Sequence, residues 1–349
     1  MSGIADNMTA SVSADAETLL QTGVVDPRVL AGHLRGLSLP DADGEAVTDV
    51  EVRSVLKHHS SGSRCTLEIA VRTDGRWRPA IAKIYNKDRA DALQVMKAIE
   101  QSGFGPQAEL SIPQPFAYVS SLQCLLQEKV EGVRAEEVFK TGDEGAHAAA
   151  AERCARWLAR FHARGPRLGQ PVAADEYLNS SSMQKYSREI AEEGGPCAAK
   201  ASALLERLQD ALPSLSPVPP CAGHASFSAS HVILAHGRTV AFDWDGYDLT
   251  DPARDVARFL AALRPVALRR FGSVRGLDRA AEVFRTTYLA ASQPELASNL
   301  RFFEAATCLN LAKHTLARSV HTAKDRDKKR RKAEAMLDEG FAVLNGGAR

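Results

Sequence analysis

The feature that most restricts how this chain can fold is a change of hydrophobic period at Gly132. Before it, from about Val47, the runs "VTDVEVRSVL", "CTLEIAVRT", "WRPAIAKIY", "PQPFAYV" and "CLLQEKVEG" alternate apolar and polar residues and are rich in β-branched side chains, which predicts strands. Asp74-Gly75, between the second and third runs, tolerates the positive φ angles of a tight turn and predicts a hairpin. One helix interrupts the strands, "KDRADALQVMKAIEQSGF", with Ala92, Val95, Met96 and Ile99 at helical spacing and Gly103 as a stop. After Gly132 the apolar residues recur at helical spacing. Cys154, Trp157, Leu158 and Phe161 share one face of "AHAAAAERCARWLARFHARGPR", which ends at Gly165-Pro166. Further helices are predicted over "SMQKYSREIAEEGG", "CAAKASALLERLQDAL", "DPARDVARFLAAL", "LDRAAEVFRTTYLAA" and a long C-terminal stretch, with one β segment among them, "SHVILAHGRTVAFDW". The expectation is an α+β chain of two lobes: a small five-stranded sheet plus helix over residues 45–132, and a mostly helical lobe with an embedded hairpin over 133–349. Residues 1–44 read as a polar N-terminal extension.

A chain of 349 residues is long enough to bury a substantial core, and a formal net charge of +1 gives no overall bias toward nucleic acid or membrane. The N-terminus has acids where an export signal has bases, and no run approaches the roughly 20 apolar residues a membrane span requires, so a cytoplasmic protein is expected. Cys65, Cys124, Cys154, Cys197, Cys221 and Cys308 lack C-x-x-C pairing and read as reduced, buried small hydrophobes. The basic run "KDRDKKRRKAEAMLDEGF" suits a charged helical face over an apolar underside better than a nucleic-acid site.

Several residues carry chemistry. Lys83 interrupts the apolar strand "AIAKIY", either as a cation aimed into a cleft or as an outward lysine on a half-exposed strand. Glu100, on the one helix of the sheet half, can pair with it, or be a solvated helix carboxylate. Asp243 and Asp245 in "AFDWDGY" follow an apolar strand one residue apart, and on an extended chain both project to the same face. Two like charges that close need a cation or a base to neutralise them, and their oxygens suit Mg²⁺; otherwise Asp243 is a turn-capping aspartate. In "DPARD", Asp251 reads as a helix cap before Pro252, and Asp255 as a first-turn carboxylate. The small residues of "HHSSGSRC", Ser61 and Gly62 among them, permit backbone N–H groups to approach phosphates.

The order of Lys83 on a third strand, "LLQEKVEG", "WLARFH", "H-x-S-x-x-x-x-H", "FDWD" and "DPARD" resembles the aminoglycoside phosphotransferase family, a small-molecule branch of the protein-kinase-like fold, from about residue 47 onward. The resemblance implies ATP or GTP as nucleotide, Mg²⁺ (Mn²⁺ possible) as metal, Lys83 as phosphate-gripping lysine, and Gln127, Glu128 and Val130 in the linker whose backbone receives the base. It implies His224 as the loop histidine and Asp243 as a metal ligand. Where the family reads H-G-D-x-x-x-x-N, this chain has Ala225, Ser226 and His231. A serine hydroxyl is no ordinary general base, so His224, His231 or Asp245 is left to accept a proton and Ser226 to orient an acceptor. An imidazole at 231 is a softer metal ligand than an amide oxygen and fits Mn²⁺ better; otherwise His231 is a loop histidine bonded to backbone. The expected function is phosphotransfer to a hydroxyl of a small molecule, aminoglycoside-like, or of a peptide Ser/Thr. The alternative is a pseudokinase that binds nucleotide or peptide without catalysis.

Overall fold

The computed structural model describes residues 20, 26–40, 45–58, 63–192, 194–291, 297–316 and 323–346. Ser61 and Gly62, proposed for phosphate approach, lie outside these residues. The chain divides into two compact units: residues 1–108 with 112–131, and 109–111 with 132–349.

In the first unit, strands β1 (Asp49–His58), β2 (Arg64–Thr73) and β3 (Arg76–Tyr85) form an antiparallel meander, and the sheet order β1-β2-β3-β6-β5 is completed by β5 (Pro115–Val119) and β6 (Cys124–Glu128). This is the five-stranded sheet expected. The β2–β3 register closes on Thr73↔Arg76, with both Asp74 (φ 49) and Gly75 (φ 68) left-handed, as the Asp-Gly dipeptide requires. Directly paired residues share a face, so Cys65↔Ile84, Leu67↔Ala82 and Ile69↔Ala80 build one apolar surface with Cys124 and Leu126.

That surface is covered from the N-terminal side. Helix α1 (Pro27–Leu34) starts at Asp26, whose Oδ1 accepts the Arg28 N–H at 2.8 Å, with Pro27 in the first turn. Leu30, Ala31 and Leu34 join Leu20, Leu39 and Val47 in the same core cluster as the sheet. The expectation of a polar extension over 1–44 is therefore corrected. Its described part is an amphipathic helix, and the short apolar spacing hidden among polar residues belongs to the core. Helix α2 (Ala90–Ile99) continues into a π-helical turn over Glu100–Phe104 and stops at Gly103 (φ 94).

The second unit is mostly helix: α3 (Ala135–Thr141), α4 (Glu144–Arg164), α5 (Ala174–Asn179), α6 (Ser181–Glu192), α7 (Gly195–Ala211), α8 (Ala253–Phe271), α9 (Asp278–Ala290), α10 (Ala297–Leu316) and α11 (Ala323–Leu344). Cys154, Trp157, Leu158 and Phe161 on α4 are fully buried, as their spacing predicts. On α11 Arg326, Lys328, Arg330 and Arg331 are exposed while Ala333, Met336 and Leu337 are buried, and a Cβ at Gly340 would meet Leu204 of α7 at 2.8 Å. The basic run is thus one face of a packed helix.

The predicted hairpin is β9 (Val232–Ala235) and β10 (Arg238–Ala241), but it is not isolated. β7 (Val133–Arg134) adds to β9, and β4 (Leu110–Ser111) pairs parallel with β10, giving the order β4-β10-β9-β7. Residues 109–111, placed by sequence in the sheet lobe, belong to the second unit. The Glu109 carbonyl accepts the Thr239 N–H at 2.7 Å, and the Ser111 carbonyl accepts the Trp157 indole N–H at 2.9 Å. A two-residue strand leaves no period to read. β8 (Cys221–Gly223) and β11 (Asp248–Thr250) form a second, antiparallel pair.

All six cysteines are free and buried, and burial pushes their thiols up, away from reactivity. Among the described residues no helix is long and apolar enough to cross a membrane.

Two predictions test these cores. Leu34 is fully buried, so Leu34→Ala should lower stability by about 2–4 kcal/mol in denaturant unfolding, where an extension outside the core would register nothing. In the helical unit, Arg264 faces Asp278, Glu339 (3.1 Å) and Glu304 (3.8 Å). One guanidinium shared by three carboxylates cannot offset the burial of Glu304 and Glu339. Burial pushes Glu304, with its ordinary value of 4.5, up to about 7 against the pull of Arg264. A carboxyl raised in the folded state contributes stability below its unfolded value and loses it as pH rises through the folded value. Glu304→Gln should therefore gain on the parent by on the order of 2 kcal/mol between about pH 5 and about pH 8, read by urea unfolding at both.

Candidate functional site

Lys83 lies on β3, the middle strand, flanked by fully buried Ala82 and Ile84. Alternation turns it to the opposite face, beside its register partners Thr66 and Leu125, and only 5% of it is exposed. The outward-lysine alternative is thereby removed. Glu100 opens the π-helical turn, where burial pushes its carboxyl up and Lys97 draws it down. Gln127 and Glu128 end β6, opposite Ile81 and Ala80, and Gln127 is buried. The Glu128 carboxylate turns back to accept the Gln114 N–H at 2.9 Å. The chain leaves the sheet through Val130, after Lys129 is fixed by Glu68 at 2.8 Å.

In the second unit the segment from Gly223 to Asp255 is a loop and hairpin held from below. Gly223 pairs with Asp248, and a Cβ there would meet Thr250 Cγ2 at 2.6 Å, so only glycine fits. Next, the His224 N–H donates to Asp255 Oδ2 at 2.6 Å. Asp255 is fully buried near the start of α8, and His162 Nε2 stands 3.5 Å from the same oxygen, with His162 Nδ1 2.7 Å from the Tyr288 hydroxyl. Burial pushes the Asp255 carboxyl up, but hydrogen bonding to His162 and the nearby Arg254 guanidinium outweigh it and hold it below the usual range. Asp251 lies one residue farther from α8 than expected, with Pro252 at the N-cap, and its Oδ1 accepts the Ala253 N–H at 2.8 Å.

An aromatic layer supports the loop. Trp157 stacks on Phe161 (5.1 Å) and Phe227 (5.6 Å), and Trp244 lies 5.0 Å from Phe161 and 4.5 Å from the His224 ring. His224 is fully buried, so toward a bound molecule it acts through Ser226 rather than directly. Burial also pulls its imidazole below the ordinary range, so it is neutral. Its Nε2 lies 3.0 Å from the Phe242 carbonyl, which can only accept, so Nε2 carries the proton and Nδ1 a lone pair. That lone pair faces Ser226 Oγ at 3.2 Å; the serine hydroxyl donates to it.

His231 is fixed by the same logic. Its Nδ1 lies 2.9 Å from the Ser226 carbonyl and so donates, leaving a lone pair on Nε2. Nε2 faces Asp243 Oδ2 at 3.6 Å, and burial, with His224 beside it, holds the imidazole down to about 4. Two lone pairs thus face each other with no proton between them, an arrangement that suits a shared cation. Among the described residues no group of three or more His, Cys, Asp or Glu is gathered for a metal.

Asp245 is a correction. β10 ends at Ala241, Asp243 is left-handed (φ 75), and Trp244–Gly246 is a 3₁₀ turn. The extended backbone that was to carry both carboxylates to one face is absent, and Asp243 pairs instead with His231.

Beside Ser226 opens a cavity of about 400 Å³, lined among others by Glu176, Tyr177, Arg254, Arg258, Thr307 and Asn310. Arg254 bonds Asp248 and lies over the Tyr177 ring at 5.5 Å, and Arg258 Nη1 reaches Asn310 Oδ1 at 3.4 Å. None of these stood out in the sequence. The available signal was Arg254 and Arg258 four apart on one helix, which places both cations on one face.

The model of the phosphotransferase enzyme family matches residues 67–298. The chain belongs to this family. No curated protein matches it. Solved structures give the fold of this phosphotransferase. One is a choline/ethanolamine kinase family protein from Mesorhizobium loti at 15% identity, TM-score 0.55, covering 86% of this chain and 93% of that one. Another is a thermostable mutant of aminoglycoside phosphotransferase APH(4)-Ia with ADP and hygromycin B, at 17% identity, TM-score 0.57, covering 87% and 95%. A third is the amicoumacin kinase hAmiN with AMP-PNP, Ca²⁺ and Ami, at 13% identity, TM-score 0.55, covering 89% and 92%. The protein-kinase-like α+β fold and the phosphotransferase class expected from the sequence both hold.

Ala225 of this phosphotransferase is left-handed (φ 63), a conformation that favours glycine. Ala225→Gly should raise stability by roughly 0.5–1 kcal/mol, strain relieved less the added chain entropy, in urea unfolding. A loss would mean that the loop does not hold this backbone.

Proposed function

We propose that this phosphotransferase moves the γ-phosphoryl group of a nucleoside triphosphate to a hydroxyl of a small molecule, with a divalent cation held by His231 and Asp243. The observation that carries the reading is the pair of facing lone pairs, His231 Nε2 and Asp243 Oδ2, 3.6 Å apart. An imidazole with a carboxylate suits Mn²⁺ better than Mg²⁺. A cation bound there would offset the charge of the nucleotide's phosphate oxygens.

The chain's own residues supply the rest. Lys83 would grip phosphate oxygens from a strand that fixes its position. The segment from Gln127 through Glu128 to Val130 would receive the base through its backbone. Ser226 would hold the acceptor hydroxyl, its own proton tied to His224. Loss of a positioned base costs about two to four orders of magnitude, yet a largely dissociative transition state depends chiefly on placement and charge. A cavity of about 400 Å³ supports a small molecule over an extended peptide. Solved neighbours that carry ADP and AMP-PNP support ATP over GTP.

The test is calorimetric titration of ATP with Mn²⁺ and with Mg²⁺. Tighter binding with Mn²⁺ is expected, and Asp243→Ala and Lys83→Ala should each weaken it by about tenfold or more. No binding in the parent sinks the reading. If ATP binds, Ser226→Asp separates the alternatives. A large gain in slow ATP hydrolysis indicates a disabled kinase that serves as a nucleotide-binding module. Little gain, or a loss, indicates that the present loop has its own chemistry.

A further inference from the structure

We propose that Ser226 is itself a phosphoryl acceptor: with a nucleoside triphosphate bound, this loop serine becomes phosphoserine, and Arg254 and Arg258 hold the new phosphate in the adjoining cavity. The inference rests on the nucleotide-dependent reading above.

Three observations support it. The Ser226 hydroxyl donates to His224 Nδ1 at 3.2 Å, and that ring is fixed in the accepting tautomer by the Phe242 carbonyl at 3.0 Å. A hydroxyl bonded to an imidazole that a third group orients is an activated nucleophile. Next, Ser226 Oγ lies 3.5 Å from His231 Nδ1, on the ring whose other nitrogen faces Asp243. The hydroxyl therefore stands one imidazole away from the atoms proposed to hold the cation and, through it, the phosphates. Finally, Ser226, Arg254, Arg258, Thr307 and Asn310 line one cavity of about 400 Å³, room enough for a phosphate. Arg254 is 5% exposed, so a phosphate there meets a guanidinium largely removed from solvent.

In the transfer, a lone pair of Ser226 Oγ attacks the γ-phosphorus, and the bond from that phosphorus to the oxygen bridging to the β-phosphate breaks. The electron pair leaves on the nucleoside diphosphate, and the hydroxyl proton passes to His224 Nδ1. The product carries about −1.5 to −2 charges at neutral pH on the wall of the cavity. A small-molecule acceptor is then excluded by volume, so the modified chain is held inactive.

The full chain is incubated with Mn²⁺ and ATP labelled at the γ-phosphate, and phosphopeptides are mapped by mass spectrometry while ATP binding is followed by calorimetry. One phosphate on Ser226 is expected, none with Ser226→Ala, and recovery with Ser226→Thr, which keeps the hydroxyl and leaves buried His224 untouched. In the Arg258→Gln chain, added alkaline phosphatase should remove that phosphate about tenfold faster. With EDTA and no nucleotide, diisopropyl fluorophosphate should label Ser226 and no residue of the Ser226→Ala chain. Bound ATP with Ser226 unmodified, or phosphate on another residue, overturns this proposal and leaves the phosphotransfer reading standing. Absence of ATP binding removes both, and a Ser226 inert to the fluorophosphate overturns the His224 pairing on which the proposal depends.

Discussion

The second unit depends on one buried hydrogen bond, from the His224 N–H to Asp255 Oδ2 at 2.6 Å. It joins the end of a three-residue strand to the start of a long helix, two elements that share no regular pairing. Without it a buried amide would lack a partner, at a cost of about 1–3 kcal/mol, and the buried carboxylate would keep only the longer contact with His162. With it, the His224 ring is set against Trp244 and the Phe242 carbonyl, and the backbone turns through left-handed Ala225 to present Ser226. His162 and Tyr288 brace the same carboxylate from α4 and α9, so three helices determine where one serine stands.

That anchor supports a loop whose protons are assigned by backbone carbonyls. Phe242 sets the tautomer of His224, and Ser226 sets that of His231. Neither ring is free to choose, because each has one nitrogen against an oxygen that cannot donate. The lone pairs left over point at two places, the Ser226 hydroxyl and Asp243 Oδ2. An aspartate and an asparagine in such a loop supply oxygens; here Ser226 supplies a hydroxyl and His231 a directional nitrogen of fixed tautomer. His231 is in turn fixed by the backbone carbonyl of Ser226, so the two positions are tied to each other through one hydrogen bond.

Much of this was legible in the sequence. Alternation located the five-stranded sheet, Asp74-Gly75 its hairpin, and the Trp157 face the central helix, because each is a repeated pattern long enough to read. Lys83 and Asp243 stood out by interrupting or ending apolar strands. Features that escaped are those without a period. β4 and β7 are two residues each, α1 lies in a polar stretch, and Arg254 and Arg258 gain meaning only once α8 is set beside the cavity. The pairing of Asp243 with Asp245 failed because the chain abandons extended geometry two residues after the strand, and a left-handed aspartate is not announced by its neighbours.

The parallel pairing of β4 with β10 has a consequence for how the protein is made. Leu110 and Ser111 leave the ribosome long before Thr239 and Val240 exist, and the strands of the first unit on either side of them are complete well before then. During synthesis this two-residue strand waits without its partner while the surrounding sheet closes. The chain also passes between its two units at 108, 111 and 131, so a single cut at Gly132 yields a second half lacking one strand of its sheet. Assembly of the loop that carries Ser226 is therefore a late event, governed by contacts of long sequence separation.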